Sequence, residues 1–206
     1  MGTLTRFLSG LFSASSPARL GIYGPPNAGK TTLANRISRD WGDGTGGGTS
    51  HVPHETRGAR VNEGVVIERN GGSVRLDVVD TPGVTTSVDR DAFLEAGFDE
   101  TAADNRAREA TRGISESMRR LREDVDGVVY VLDAATDPRE QVNDILVRIV
   151  EGQQLPMVVL ANKLDRDDAD VERVERAFPE YDVVPFSALE GDNVETVYDR
   201  LVERFG

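Results

Sequence analysis

The segment GPPNAGKT at 24–31 restricts the fold more than any other stretch of this chain. It follows the apolar run LGIY at 20–23 and leads into KTTLANRIS, where Leu33, Ala34 and Ile37 share one helical face. A G-x-x-x-x-G-K-[ST] run between a strand and a helix forms a loop whose backbone N–H groups converge on phosphate oxygens at the helix N-terminus. Glycine permits the close backbone approach, a lysine here reaches the β- and γ-phosphates, and a threonine hydroxyl ligates Mg²⁺. Lys30 and Thr31 are therefore the central candidates, with Gly24, Asn27, Ala28, Gly29 and Thr32 completing the cradle.

Apolar, β-branched stretches recur near 20–23, 61–68, 74–80, 127–133, 157–162 and 183–186 and read as strands. Helical patterns occupy 30–39, 106–123, 139–151, 169–178 and 193–205. Their alternation is that of a wound α/β domain. The run ERNGGSVR at 68–75 is the exception, because a tight NGG turn joins antiparallel neighbours and leaves no room for a crossover helix. One strand is thus expected to oppose the rest. At 206 residues the chain suits one domain, taken as 18–206 behind an N-terminal extension at 1–17. Two stretches fit neither pattern, the glycine-rich 42–50 and the polar 84–105, and loops of that length in a compact domain are commonly functional.

Three further motifs follow strands in order. DTPG at 80–83 offers the Asp80 carboxylate to a hydrated Mg²⁺ and the Gly83 N–H to a γ-phosphate. NKLD at 162–165 offers Asp165 to the two N–H donors on the edge of guanine, with Asn162 bracing the loop and the Lys163 stem lying over the ring. Adenine lacks that donor pair, so a carboxylate here selects GTP over ATP. SAL at 187–189 follows the next strand, where the Ala188 N–H is placed to meet guanine O6 between Ser187 and Leu189.

The series GPPNAGKT, a loop threonine, DTPG, NKLD and SAL resembles the translation-factor-related small GTPases of the P-loop class, particularly the Era and TrmE-like branch. The resemblance runs from about Leu20 onward. It implies a Ras-like α/β fold: a six-stranded, mostly parallel sheet with one antiparallel strand and helices on both faces. It also implies a molecular switch that hydrolyses GTP to GDP and phosphate with Mg²⁺, and loops at about 42–58 and 83–105 that sense the γ-phosphate and present themselves to a protein effector. Thr56 in PHETRG is the residue expected to close over Mg²⁺, with Thr45, Thr49 and Ser50 as competitors. Lys30, Thr56 and Gly83 then carry the catalytic charge stabilisation.

Departures from the family pattern matter as well. Val84 stands where Ras has a water-positioning glutamine, which implies slow intrinsic turnover. Asn27 matches an asparagine that helps hold K⁺ in related GTPases; either it does so here or it only shapes the loop. Arg57 reads as an internal finger, as a strand anchor or as a solvated side chain. No RNA-binding domain of the kind that follows the Era GTPase module is recognisable, so RNA binding is not carried over. Rivals to the switch reading are a guanine-nucleotide-binding adaptor that does not hydrolyse, and an ATP-driven P-loop enzyme.

Composition narrows the setting. Thirty-six acidic residues against 24 basic ones give a net charge of −12, and the only two lysines are Lys30 and Lys163. An acid-rich, lysine-poor surface fits the salt-loaded cytosol of a halophilic archaeon, where the Debye length falls to about 3 Å at molar salt; the alternative is an ordinary acidic cytosolic protein. The absence of cysteine excludes disulfides, thiolate nucleophiles and thiolate metal sites. His51 and His54 beside Glu55 lie on a polar loop without the regular helix that would fix metal ligands. No apolar run reaches the roughly 20 residues of a membrane span. Leu4, Phe7, Leu8, Leu11 and Phe12 fall near one face of a short helix over 1–16, to be docked on a membrane, on the chain's own core or on a partner. The need for a nucleotide pool places the protein in the cytoplasm.

Overall fold

The computed structural model describes residues 18–42, 60–69, 71–80, 91, 94 and 97–206, with 60–64 and 77–80 described by backbone alone. The elements run β1 (Ala18–Tyr23), α1 (Lys30–Trp41), β2 (Arg60–Arg69), β3 (Gly72–Asp80), α2 (Glu100–Glu123), β4 (Gly127–Asp133), α3 (Pro138–Gln141), α4 (Asp144–Gln153), β5 (Met157–Asn162), α5 (Val171–Ala177), β6 (Val183–Pro185) and α6 (Val194–Phe205). The strands form one six-stranded sheet in the order β2-β3-β1-β4-β5-β6. Only β2 is antiparallel to its neighbour; the other pairings are parallel. The expected mixed sheet is the one observed.

β4 and β5 are interior strands covered on both faces, which is why GVVYVL and MVVLA are apolar up to the polar residue that ends each strand. Their period-2 geometry still divides the side chains. Val129, Val131, Val158 and Leu160 pack towards Leu33 and Ile37 of α1 and Val197 and Leu201 of α6. Val128, Tyr130, Leu132, Val159 and Ala161 pack towards Leu121 of α2, Leu146 and Val150 of α4, and Val174 of α5. Burial of such side chains contributes about 1.5–3 kcal/mol each. The β2–β3 hairpin is tied to α6 by Arg69, which pairs with Asp199 at 2.8 Å and also with Glu195.

Two helices differ from the sequence reading. α2 starts at Glu100, so 100–105 of the expected polar loop are helical. The Asp99 carboxylate accepts the Ala102 N–H at 2.8 Å, and the Ala103 side chain is fully buried, an N-cap and a core contact that outweigh the polarity of the segment. The single helix expected over 139–151 is divided into α3 and α4. Val142 is extended between them, and the Asn143 side chain caps α4 by accepting the Leu146 N–H at 3.0 Å. The buried Tyr130 hydroxyl templates the break, donating to the Gln141 carbonyl at 3.2 Å and accepting the Asn143 N–H at 3.1 Å. Burial pushes the Tyr130 phenol up to about 12, which keeps the donor proton in place.

Segment 1–16, with its apolar stripe, lies outside the described residues. No helix among the described residues is long and apolar enough to cross a membrane.

Candidate nucleotide-binding site

The motif residues that the structure describes gather at the carboxyl ends of β1, β3, β5 and β6, the edge of a parallel sheet where ligands bind. The loop leaving β1 begins at Gly24, whose φ is +147° and where a Cβ would lie 2.1 Å from the Val131 carbonyl oxygen. Only glycine lets the chain cross β4 so closely. Asn27 follows in the left-handed region at φ 62° and is exposed. At Gly29, φ is +99° and a Cβ would meet Asn162 Nδ2 at 2.1 Å. Lys30 opens α1; it is 6% exposed, and its ammonium turns back to donate to the Pro25 carbonyl at 2.6 Å. Thr31 is half-buried and Thr32 exposed in the first turn of the same helix.

Asp80 ends β3 in register with Ile22 of β1, which brings its backbone to the same edge as the glycine loop. A threonine hydroxyl and one carboxylate beside phosphate oxygens are hard oxygen donors of the kind Mg²⁺ takes while keeping several waters. Thr31 and Asp80 therefore fit that ion. Thr56 and Gly83 lie outside the described residues, as do Thr45, Thr49, Ser50, His51, His54, Glu55, Arg57 and Val84. Among the described residues no His, Asp and Glu side chains gather in a group of three or more suited to a metal.

The other half of the site is built around Asn162, 2% exposed at the end of β5. Its Nδ2 donates to the Ala28 carbonyl at 2.7 Å and its Oδ1 accepts the Ala188 N–H at 2.9 Å. One amide thus joins the glycine loop to the loop after β6. The Ala188 N–H, expected on guanine O6, is engaged by Asn162 in this structure. Lys163 takes φ 71°, and its ammonium donates to Asp133 Oδ2 at 2.6 Å. The Asp165 carboxylate accepts the Ser187 hydroxyl at 2.5 Å. Leu189 projects outward, 68% exposed.

Three residues that sequence reasoning did not single out complete the arrangement. Asp133 ends β4 and anchors Lys163. The Gln141 side chain, 6% exposed, donates to the Asp133 and Thr136 carbonyls at 2.8 and 2.9 Å and accepts the Asp133 N–H at 2.7 Å. It holds the end of β4 in a fixed shape. Arg36 on α1 donates from Nε to the Ala188 carbonyl and from Nη2 to the Leu189 carbonyl, both at 2.9 Å. Asp133 had a signal available, a carboxylate at the end of an apolar central strand. Arg36 had none, since its partners lie 152 and 153 residues away.

Residues 19–163 match the family described as 50S ribosome-binding GTPase. The chain belongs to that family. Among curated relatives, the GTPase Era of Azotobacter vinelandii (strain DJ) is 32% identical over 189 residues, covering 89% of this chain and 53% of that protein. The chain spans about half the length of the Era relatives it matches. Among solved structures, Era in complex with MgGDPNP and nucleotides 1506–1542 of 16S ribosomal RNA is similar with a TM-score of 0.66 at 20% identity, covering 93% of this chain and 57% of that one. The FeoB G-domain from Methanococcus jannaschii aligns with a TM-score of 0.52 at 21% identity, covering 91% of this chain and 96% of that domain. At such identities the likeness to these GTPase structures is one of fold.

Proposed function

We propose that this family member binds GTP with Mg²⁺, hydrolyses it to GDP and phosphate, and acts as a nucleotide-dependent switch. The observation that carries the reading is the Asn162 bridge: one buried side chain holds Ala28 of the phosphate-type loop and Ala188 of the base-type loop. Segments separated by 134 and 26 residues are thereby tied together, which supports a single site with an anion-binding end and a purine-reading end.

In this reading the backbone N–H groups of 27–31 and the Lys30 ammonium hold the β- and γ-phosphates and offset charge that builds as the terminal phosphoryl group departs. Mg²⁺, when bound at Thr31 and Asp80, supplies further charge neutralisation. Asp165 accepts the two guanine N–H donors. With the Lys163 ammonium anchored to Asp133, its aliphatic stem is the part that lies along the purine face. Water attacks the γ-phosphate in line, and turnover is slow. Thr56 and the Gly83 N–H close on the phosphate, and their release after hydrolysis changes what the loops at 42–58 and 83–105 offer a protein effector.

The same reading extends to the setting. Asn27 holds a K⁺ ion, the protein works in the cytoplasm of a halophile, and its net charge of −12 is tolerated through screening at high salt. Segment 1–16 then serves as an extension that docks on a partner or membrane. Single-turnover release of phosphate from GTP, run in KCl and in NaCl at matched molar strength, tests the core of the proposal. Release of phosphate, faster in KCl, supports both hydrolysis and the cation role. Equal rates remove K⁺ from the mechanism, and tight GDP binding without phosphate release makes the protein a binding adaptor instead. Thermal melting across KCl concentrations tests the setting: a Tm that does not rise towards molar salt refutes it.

A further inference from the structure

We infer that Arg36 is a positioning residue for guanine selectivity, acting on Asp165 through the loop that follows β6. The inference rests on the purine-reading role proposed above for Asp165. The loop at 187–192 closes on itself, with the Gly191 N–H donating to the Ser187 carbonyl at 2.9 Å, the Ser187 N–H to the Asp192 carbonyl at 2.9 Å and the Glu190 N–H to Ser187 Oγ at 3.1 Å. Its Ala188 and Leu189 carbonyls accept the two bonds of the Arg36 guanidinium. The loop wraps that group closely: at Gly191, where φ is +94°, a Cβ would lie 2.9 Å from Arg36 Nη1. From inside this loop the Ser187 hydroxyl reaches Asp165 Oδ1 at 2.5 Å.

The guanidinium is therefore one end of a short chain of contacts that ends on the base-reading carboxylate. Arg36 is carried by α1, whose first residue is Lys30. The helix that presents the phosphate lysine thus also sets where the purine loop stands. A planar fork with two donors suits two adjacent carbonyls; a lysine at this position reaches one of them. Without the fork, the loop and the Ser187 hydroxyl lose their fixed position, and Asp165 loses the partner that orients it. The Asn162 bond to the Ala188 N–H holds the same loop from the other side, so loss of Arg36 loosens the loop without releasing it.

Equilibrium binding of GDP and inosine diphosphate to the full chain, in Mg²⁺ and molar KCl, reads this directly. Inosine lacks the exocyclic amine, one of the two donors Asp165 accepts, so the ratio of the two affinities reports on that carboxylate and not on the phosphate end. R36A is expected to lower the preference for GDP by about tenfold, and R36K by less. In a Ser187→Ala background R36A is expected to cause no further loss, because the contact it acts through is gone. An unchanged preference, or an equal loss for both diphosphates, overturns the inference. Failure of the wild-type chain to bind GDP overturns the reading of the site itself, and the positioning role with it. If R36A does not fold, Arg36→Gln, which keeps an N–H donor group near the place of Nε and lacks the rest of the fork, is measured by the same criteria.

Discussion

Replacing Asn162 with alanine removes a side chain that joins the glycine loop to the loop after β6. The amide is 2% exposed, and its two bonds, at 2.7 and 2.9 Å, end on backbone groups of Ala28 and Ala188, which are themselves 1% and 2% exposed. The substitution leaves a carbonyl and an N–H unpaired where water enters poorly. Each orphaned group costs about 1–3 kcal/mol, and partial hydration of the space left by the amide offsets some of that. The expected loss is about 2–4 kcal/mol, or about 5–15 °C in Tm for a domain of this size. Asn162→Asp should cost more, since it places an acceptor against the Ala28 carbonyl and a charge in a dry site. The assay is urea unfolding of the nucleotide-free protein in strong salt, followed through Trp41, the only tryptophan, which packs edge-on to Tyr198 at 5.6 Å. Working without nucleotide separates the fold's own bridge from any lost ligand contact. A midpoint shift worth less than about 0.5 kcal/mol at constant slope would refute the claim that this amide holds the two loops together.

Other perturbations probe the same pocket and its surroundings. Asp165→Asn should move preference from guanosine to xanthosine nucleotides, because the amide offers a donor where the carboxylate only accepted; competition binding that shows unchanged guanosine selectivity removes Asp165 from base reading. Gly29→Ala combines a φ of +99° with a Cβ 2.1 Å from Asn162 Nδ2, so it should destabilise by about 2–4 kcal/mol and weaken GDP binding, with wild-type melting as the contrary outcome. On α2, the hydrogen bond from Arg119 to Glu116 holds that carboxyl down at about 2. Its contribution to stability is present above the ordinary carboxylate range and is lost as pH falls through about 2. An NMR titration that places the Glu116 midpoint near the usual value would contradict the pairing.

The sheet and the order of the motifs were legible because both are local. Period-2 β-branched runs announce strands, and GPPNAGKT, DTPG and NKLD are contiguous. The starts and breaks of helices were less so. Asp99 caps a segment whose polarity reads as loop, and the Tyr130 hydroxyl divides α3 from α4 although it belongs to a strand. Of the contacts that tie the motifs together, the bracing role of Asn162 was legible but its partners were not. Lys163 reads as a residue for the purine face, yet its ammonium is committed to Asp133, 30 residues earlier. The Ala188 N–H reads as a base contact, and it bonds Asn162.

By itself the sequence determined which chemical groups are present and in what order they leave successive strands, since side-chain periodicity and glycine's conformational freedom act over a few residues. Tertiary structure alone decided which of those groups meet. Asn162 reaches Ala28, Arg36 reaches the Ala188 and Leu189 carbonyls, and Gln141 clamps the end of β4. Hydrogen bonds act over about 3 Å, and only the packing of helices and loops against the sheet brings these donors and acceptors within that range.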